Sequence, residues 1–294
     1  MRSLRNWPTM GALLCLAIAG AALAQPLEVE DFAGRQVRLA APAQRIVALA
    51  PHLVENLYSA GAGDKLVGVV GHSDYPPEAG AIAQVGSFNA YSVETIASLQ
   101  PDLILMWGSG NGMRTLAALE LLGIPIFVSE PRQLADIGRD IRLLGQLAGT
   151  DTHARAEANR IDEALSALRA QYGTRGPITV FYEIWNQPLQ TVNGKHLISQ
   201  VIALCGGVNI FGELPTLAPQ VSVEAVLARA PEAIIASGRH DMRPQWLDDW
   251  RRYPALPAVR DNALFFVDPD LLERPTARVL LGAGTLCRQL DTLR

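Results

Sequence analysis

The sequence predicts an α/β chain of two lobes, each with a mainly parallel sheet, joined by one long helix. Three observations carry this: short apolar runs alternate with helical stretches, a strand-free segment lies mid-chain, and one helix-loop-strand unit occurs twice. Arg2 and Arg5 precede an apolar run from Met10 to Ala24 that ends in Ala22-Leu23-Ala24, the pattern of an export leader cut before Gln25. The run is shorter than the ~20 residues of a bilayer span. Cys15 follows Leu14 rather than a small residue, so a lipid anchor is not expected. Residues 1–24 are therefore read as a signal peptide and 25–44 as an edge segment, where Leu27 to Leu39 alternates around Gly34 as a hairpin.

The N-terminal lobe spans 45–148. Its strand runs are Ile46–Leu49, Leu66–Val70, Leu103–Met106 and Ile124–Val128, with helices from Leu53 to Ala60 and from Met113 to Leu122, the latter closing on Gly123. From Ala135 to Tyr172 no strand run occurs, and Ile161, Leu165 and Leu168 fall at helical spacing; residues 149–174 are assigned to the linking helix. A crossover helix inside one larger sheet is the alternative. Strands resume at Ile178–Tyr182 and open the C-terminal lobe, 175–294. Ser92-Val93-Glu94 precedes Pro101-Asp102 and the run from Leu103; Ser222-Val223-Glu224 precedes Pro231-Glu232 and Ala233–Ala236, every step offset by 130 residues.

A formal charge of −4 without clustered Lys or Arg argues against a nucleic-acid partner. Cys205 and Cys287 are the two cysteines left after the leader, and in an oxidising compartment they favour a disulfide over a metal site, two buried thiols being the alternative. His52, His72, His153, His196 and His240 are scattered, so neither a protein-held metal nor a cofactor is expected. Gly108–Gly112 follows a strand but has Met113 where a dinucleotide fingerprint needs glycine, and reads as a flexible loop. No G-x-S-x-G elbow is present, so no catalytic residue is assigned and a secreted α/β enzyme is the weaker alternative. Tyr75, Phe88, Trp107 and Trp185 all stand where strands hand over to loops, the edge at which open α/β sheets take ligands.

Four segments then carry a resemblance: His72-Ser73-Asp74-Tyr75-Pro76-Pro77, Gln100-Pro101-Asp102-Leu103-Ile104, Cys205-Gly206-Gly207-Val208-Asn209-Ile210-Phe211, and Pro219 to Arg229. They resemble the periplasmic cobalamin-binding proteins of ABC importers, within the helical-backbone receptors for siderophores, haem and cobalamin. The likeness covers nearly all of the chain after the leader. It implies two Rossmann-like lobes bridged by one long backbone helix, a corrinoid held between them as transported ligand, a Cys205–Cys287 bridge, and a monomer that meets a permease dimer in the inner membrane. It implies ligand contacts at Phe88, Trp107 and Asp270, and permease docking by Glu94 and Glu224. In that family tyrosine stands in place of His72, and tryptophan in place of Phe88 and of Ala218. A haem or iron-siderophore receptor is the competing reading. The His72 imidazole is of the type that ligates cobalt or iron; the plainer reading has it hydrogen-bond the loop around Asp74.

Overall fold

The computed structural model describes residues 26–238 and 242–294; the leader and its cleavage point lie outside them. The alternating N-terminal segment forms a hairpin of β1 (Leu27–Glu30) and β2 (Gln36–Leu39), whose Val29, Val37 and Leu39 turn inward. The buried Asp31 carboxylate accepts from Ala33 and Arg35 N–H within the turn and from Val128 N–H at 3.2 Å, which fastens the hairpin to the first sheet.

The first lobe continues through β3 (Ile46–Ala48), α1 (Pro51–Ser59), β4 (Leu66–Val69), a small hairpin of β5 (Gly86–Ser87) and β6 (Ala90–Tyr91), and α2 (Val93–Ser98). It closes with β7 (Leu103–Trp107), α3 (Gly108–Asn111), α4 (Met113–Glu120) and β8 (Ile126–Ser129). Helices α5 (Leu134–Ala148) and α6 (Asp151–Tyr172) follow. The second lobe begins with β9 (Ile178–Glu183), a hairpin of β10 (Trp185–Asn186) and β11 (Leu189–Gln190), α7 (Leu197–Leu204) and β12 (Gly207–Asn209). It ends with α8 (Val223–Arg229), β13 (Ala233–Ala236), α9 (Pro257–Arg260), β14 (Leu264–Phe266), α10 (Pro269–Leu272) and α11 (Val279–Asp291).

Each lobe holds a four-stranded parallel sheet, in the orders β4-β3-β7-β8 and β12-β9-β13-β14. The two orders are the same topology: the second strand lies outside the first, and the third and fourth follow on the other side. The 130-residue repeat marks this duplication, since α2 and α8, and β7 and β13, begin 130 residues apart. Helices cover both sheet faces, so the strands read as unbroken apolar runs. Two sheets, rather than one, rule out the crossover-helix alternative.

The mid-chain helical segment is two helices divided at Gly149. Gly149 takes φ +74° after α5, a left-handed helix end that suits glycine, and α6 doubles back along α5. A Cβ on Gly145 would come within 2.1 Å of the Ala154 Cβ, so glycine there lets the two helices close together. The 22-residue α6 carries the chain onward, with Ala154, Ala158, Ile161 and Leu165 buried along one stripe. One continuous core includes side chains from α1, α5, α6, α7 and α11 and from the inward faces of both sheets. Gln200 adds a polar tie between the halves, accepting from Leu134 N–H at 3.1 Å and donating to the Arg132 carbonyl at 2.7 Å.

Cys205, at the end of α7, is joined to Cys287 in α11, 82 residues later. Closing a loop of that length stabilises the second lobe by about 4 kcal/mol in the loop-entropy account. The glycine-rich stretch is the second departure, because residues 108–111 form a helical turn and not a loop. The Asn111 side chain organises it, accepting from Trp107 N–H at 2.6 Å while donating to the Leu49 carbonyl at 2.8 Å and the Phe88 carbonyl at 2.5 Å.

Candidate ligand site between the lobes

Four strand ends build the site. Trp107 closes β7, α1 begins just after β3, the 70–77 segment leaves β4, and the residues from Asp268 onward leave β14. The Trp107 ring meets His52 edge-to-face, with centroids 5.2 Å apart, and lies 6.2 Å from Phe88. Phe88 is 39% exposed, so the pair presents an apolar surface above a buried imidazole.

One turn along α1 from His52, the buried Glu55 carboxylate receives Arg274 at 2.8 Å and Arg278 at 3.3 Å from the second lobe. Arg274 also pairs with Asp74 at 3.2 Å and with Asp270 at 3.1 Å, and the Arg278 guanidinium stacks over Tyr75 at 4.2 Å. Asn56 donates to the buried Asp140 at 2.9 Å and to the Pro275 carbonyl at 3.1 Å, a further polar link from lobe to lobe. Burial raises Glu55 above the usual carboxylate range, against the pull of both arginines, and raises Asp140 to about 6.

Burial, with the nearby Arg274 charge, lowers His52 to about 3 and keeps its imidazole neutral. The unfolded chain takes up that proton near pH 6.5, so stability present above 6.5 is lost as the pH falls, at about 1.4 kcal/mol per unit. Asp140, held above its unfolded value, works in the opposite sense, so the test is a difference. Between pH 7 and pH 5, His52→Leu should lose about 2 kcal/mol less than the wild type in urea titrations. Parallel curves for the two proteins would remove His52 from the acid response.

Of the residues anticipated from sequence, Phe88, Trp107, Tyr75 and Asp270 converge here. Trp185 makes no ring contact with them; it is 50% exposed on the β10–β11 hairpin just beyond the end of β9, with its indole N–H donating to the Gln187 carbonyl at 2.8 Å. His72 is exposed with φ +65°, and no hydrogen bond joins it to the Asp74 loop, which Arg274 holds instead. Glu94 and Glu224 stand apart from the site, exposed in the first turns of α2 and α8. Ser92 and Ser222 cap those helices by accepting from Thr95 N–H at 3.0 Å and Ala225 N–H at 3.2 Å. Among the described residues, no group of three or more His, Cys, Asp or Glu side chains is placed to hold a metal ion.

Residues 46–271 match the periplasmic binding protein family, which is more than half of the chain. The chain belongs to that family. A vitamin B12-binding protein of Vibrio parahaemolyticus is 37% identical over 254 residues, 86% of this chain and 91% of that protein. One from Yersinia pestis is 37% identical over 251 residues, 85% of this chain and 88% of its own. The crystal structure of the periplasmic vitamin B12 binding protein BtuF of Vibrio cholerae superposes with a TM-score of 0.78 at 37% identity, covering 86% of this chain and 98% of that one. The periplasmic heme-binding protein RhuT of Roseiflexus sp. RS-1 shares the fold at 22% identity and a TM-score of 0.75, over 86% of this chain and all of that one. These relatives are binding proteins.

In this periplasmic binding protein the groups that sequence reasoning missed are His52, Glu55, Asn56, Arg274 and Arg278. Only Arg274 and Arg278 left a faint trace, as charges four and eight residues after the anticipated Asp270, and they stand in the segment between α10 and α11 rather than on one helix.

Proposed function

We propose that this periplasmic binding protein captures a corrinoid of the cobalamin type between its lobes and delivers it to the permease dimer of an ABC importer, as a monomer and without chemistry of its own. The observation that carries the reading is the pairing of an apolar aromatic face, Phe88 and Trp107, with a charged layer at Asp74, Asp270 and Arg274 across the lobe junction. A corrin is broad and apolar on its faces and rimmed with amides, so rings and hydrogen-bonding groups meet it on different sides. Resemblance to vitamin B12-binding proteins at 37% identity over most of the chain supports the same ligand. In this reading the protein is exported, its leader is cut before Gln25, and Glu94 and Glu224 face the permease.

Calorimetry of the mature protein against cyanocobalamin, cobinamide, haem and ferric siderophores tests it. Saturable binding of a corrinoid is expected; a Soret band on adding haem, with no heat from cobalamin, would transfer the site to haem. Trp107→Ala and Asp270→Ala should each weaken corrinoid binding by about 1–3 kcal/mol, through loss of a stacked ring face or of a carboxylate acceptor. Unchanged affinity in both variants places the ligand elsewhere.

A further inference from the structure

The second sheet has a switch point of its own. β9 lies between β12 and β13, and the chain leaves it first to one side and later to the other, so a crevice opens at the carboxyl ends of β9 and β13. In the first lobe the corresponding place, at the ends of β3 and β7, holds His52 and Trp107. In the second lobe it holds Glu183, the last residue of β9, which is 2% exposed.

Glu183 lines a concavity of about 170 Å³ that none of the residues proposed for corrinoid capture borders. Leu189, Val223, Trp246, Trp250 and Tyr253 give it apolar and aromatic walls. The Glu183 Oε2 accepts from the Trp250 indole N–H at 2.7 Å, and no cation among the described residues pairs with the carboxyl. Arg252, at the mouth, is engaged by Asp249 at 3.1 Å. An acid group buried in a desolvated aromatic hollow, with no counter-ion among the described residues, either keeps its proton or exchanges it for another positive group.

We propose that this concavity binds a small organic cation with N–H donors, a primary alkylammonium, with its charged head on Glu183 and its chain between the indoles. An anion would be repelled by the carboxyl, whereas an ammonium gains a charge-assisted hydrogen bond and the electron-rich faces of the rings. Size limits the guest: a cavity of this order accepts a molecule of roughly six heavy atoms, as one of about 150 Å³ accepts benzene. The site is independent of the corrinoid reading.

Proton linkage gives the site a signature. Burial raises Glu183 to about 8, the Trp250 hydrogen bond opposing and the Asp249 charge adding to the shift. The other titratable or charged groups around it are Asp249, Arg252 and Tyr253 on the segment that follows β13; the β10–β11 hairpin contributes none, and Glu224 beyond Val223 is exposed. At pH 6 the empty site holds a proton that the cation must displace. Affinity therefore rises about tenfold per pH unit and levels off above about pH 8.

The experiment titrates pentylammonium into the mature protein, following tryptophan fluorescence and heat at pH 6, 7 and 8.5, with pentanol and pentanoate as matched probes. Expected is saturable binding of the ammonium alone, strengthening with pH by that slope. Glu183→Gln should weaken it at least tenfold and flatten the pH dependence, and Trp246→Ala should weaken it several-fold while keeping the slope. Unaltered far-ultraviolet circular dichroism and thermal midpoint in both variants show that neither loss is unfolding. No saturable signal, equal binding of pentanol, or full binding by a folded Glu183→Gln variant would overturn the proposal and leave Glu183 as a protonated partner of Trp250.

Discussion

Arg274→Ala should lower the urea-unfolding stability of the mature protein by about 3 kcal/mol at neutral pH. Arg274 and Glu55 are 14% and 3% exposed at the side chain, and their contact at 2.8 Å joins residues 219 apart. Removing the guanidinium leaves a buried carboxylate with Arg278, at 3.3 Å, as its remaining charged partner among the described residues. Breaking one side of a buried pair costs more than the pair contributes, because the stranded charge is desolvated without compensation. The loss has a pH signature that a packing defect lacks. Burial already holds Glu55 above its unfolded value, and without Arg274 that value climbs further, so the carboxyl keeps its proton to higher pH in the folded variant. A neutral Glu55 needs no partner, so the deficit should shrink as the pH falls toward the unfolded value near 4.3. Adding Glu55→Gln should recover part of it, a positive coupling in the double-mutant cycle. A change below about 0.5 kcal/mol in the single variant, or additive effects in the cycle, would show that the Glu55–Arg274 pair does not hold the lobes together.

That network also shows where sequence reading stopped. The sheets were legible because parallel strands buried on both faces are continuous apolar runs, and Ile46–Ala48, Leu103–Trp107, Ile178–Glu183 and Ala233–Ala236 all formed as such. The duplicated lobe was legible through Ser92 and Ser222, since a capping serine before a short helix leaves a local mark that recurs at one offset. Trp107 was legible because a strand end next to glycines announces an open edge. The charged layer was not, because Glu55, Asp74 and Arg274 are brought together by topology and each alone reads as a solvated surface group. Gly108–Asn111 became a helical turn for the same reason: the Asn111 amide bonds the Leu49 and Phe88 carbonyls, contacts 62 and 23 residues away that no local pattern encodes.

Replacing both Glu94 and Glu224 with alanine should abolish corrinoid uptake while ligand affinity and thermal stability stay near the wild type. Each glutamate lies in a first helical turn, where a carboxylate suits the helix dipole, and its own backbone N–H and the neighbouring serine hydroxyl hold it below the usual carboxylate range. Capping is a competing explanation, but the cap belongs to other atoms. Ser92 Oγ and Ser222 Oγ receive the orphan N–H groups of Thr95 and Ala225, and both serines remain in the double variant. Neither glutamate touches the Phe88–Trp107 face or the Arg274 network, so affinity has no reason to fall. What they share is exposure at the same point of two equivalent lobes, which suits a receptor set astride two permease subunits. Charges placed so would meet cationic side chains on the partner, guiding orientation and encounter more than adding affinity, and salt should weaken them. Complex formation with the permease in detergent or nanodiscs should therefore fall steeply with ionic strength for the wild type and be lost in the double variant. Each single variant should retain intermediate uptake, because one lobe still docks. Uptake that persists in the double variant, or that declines in step with melting temperature, would return both glutamates to the role of helix-end charges.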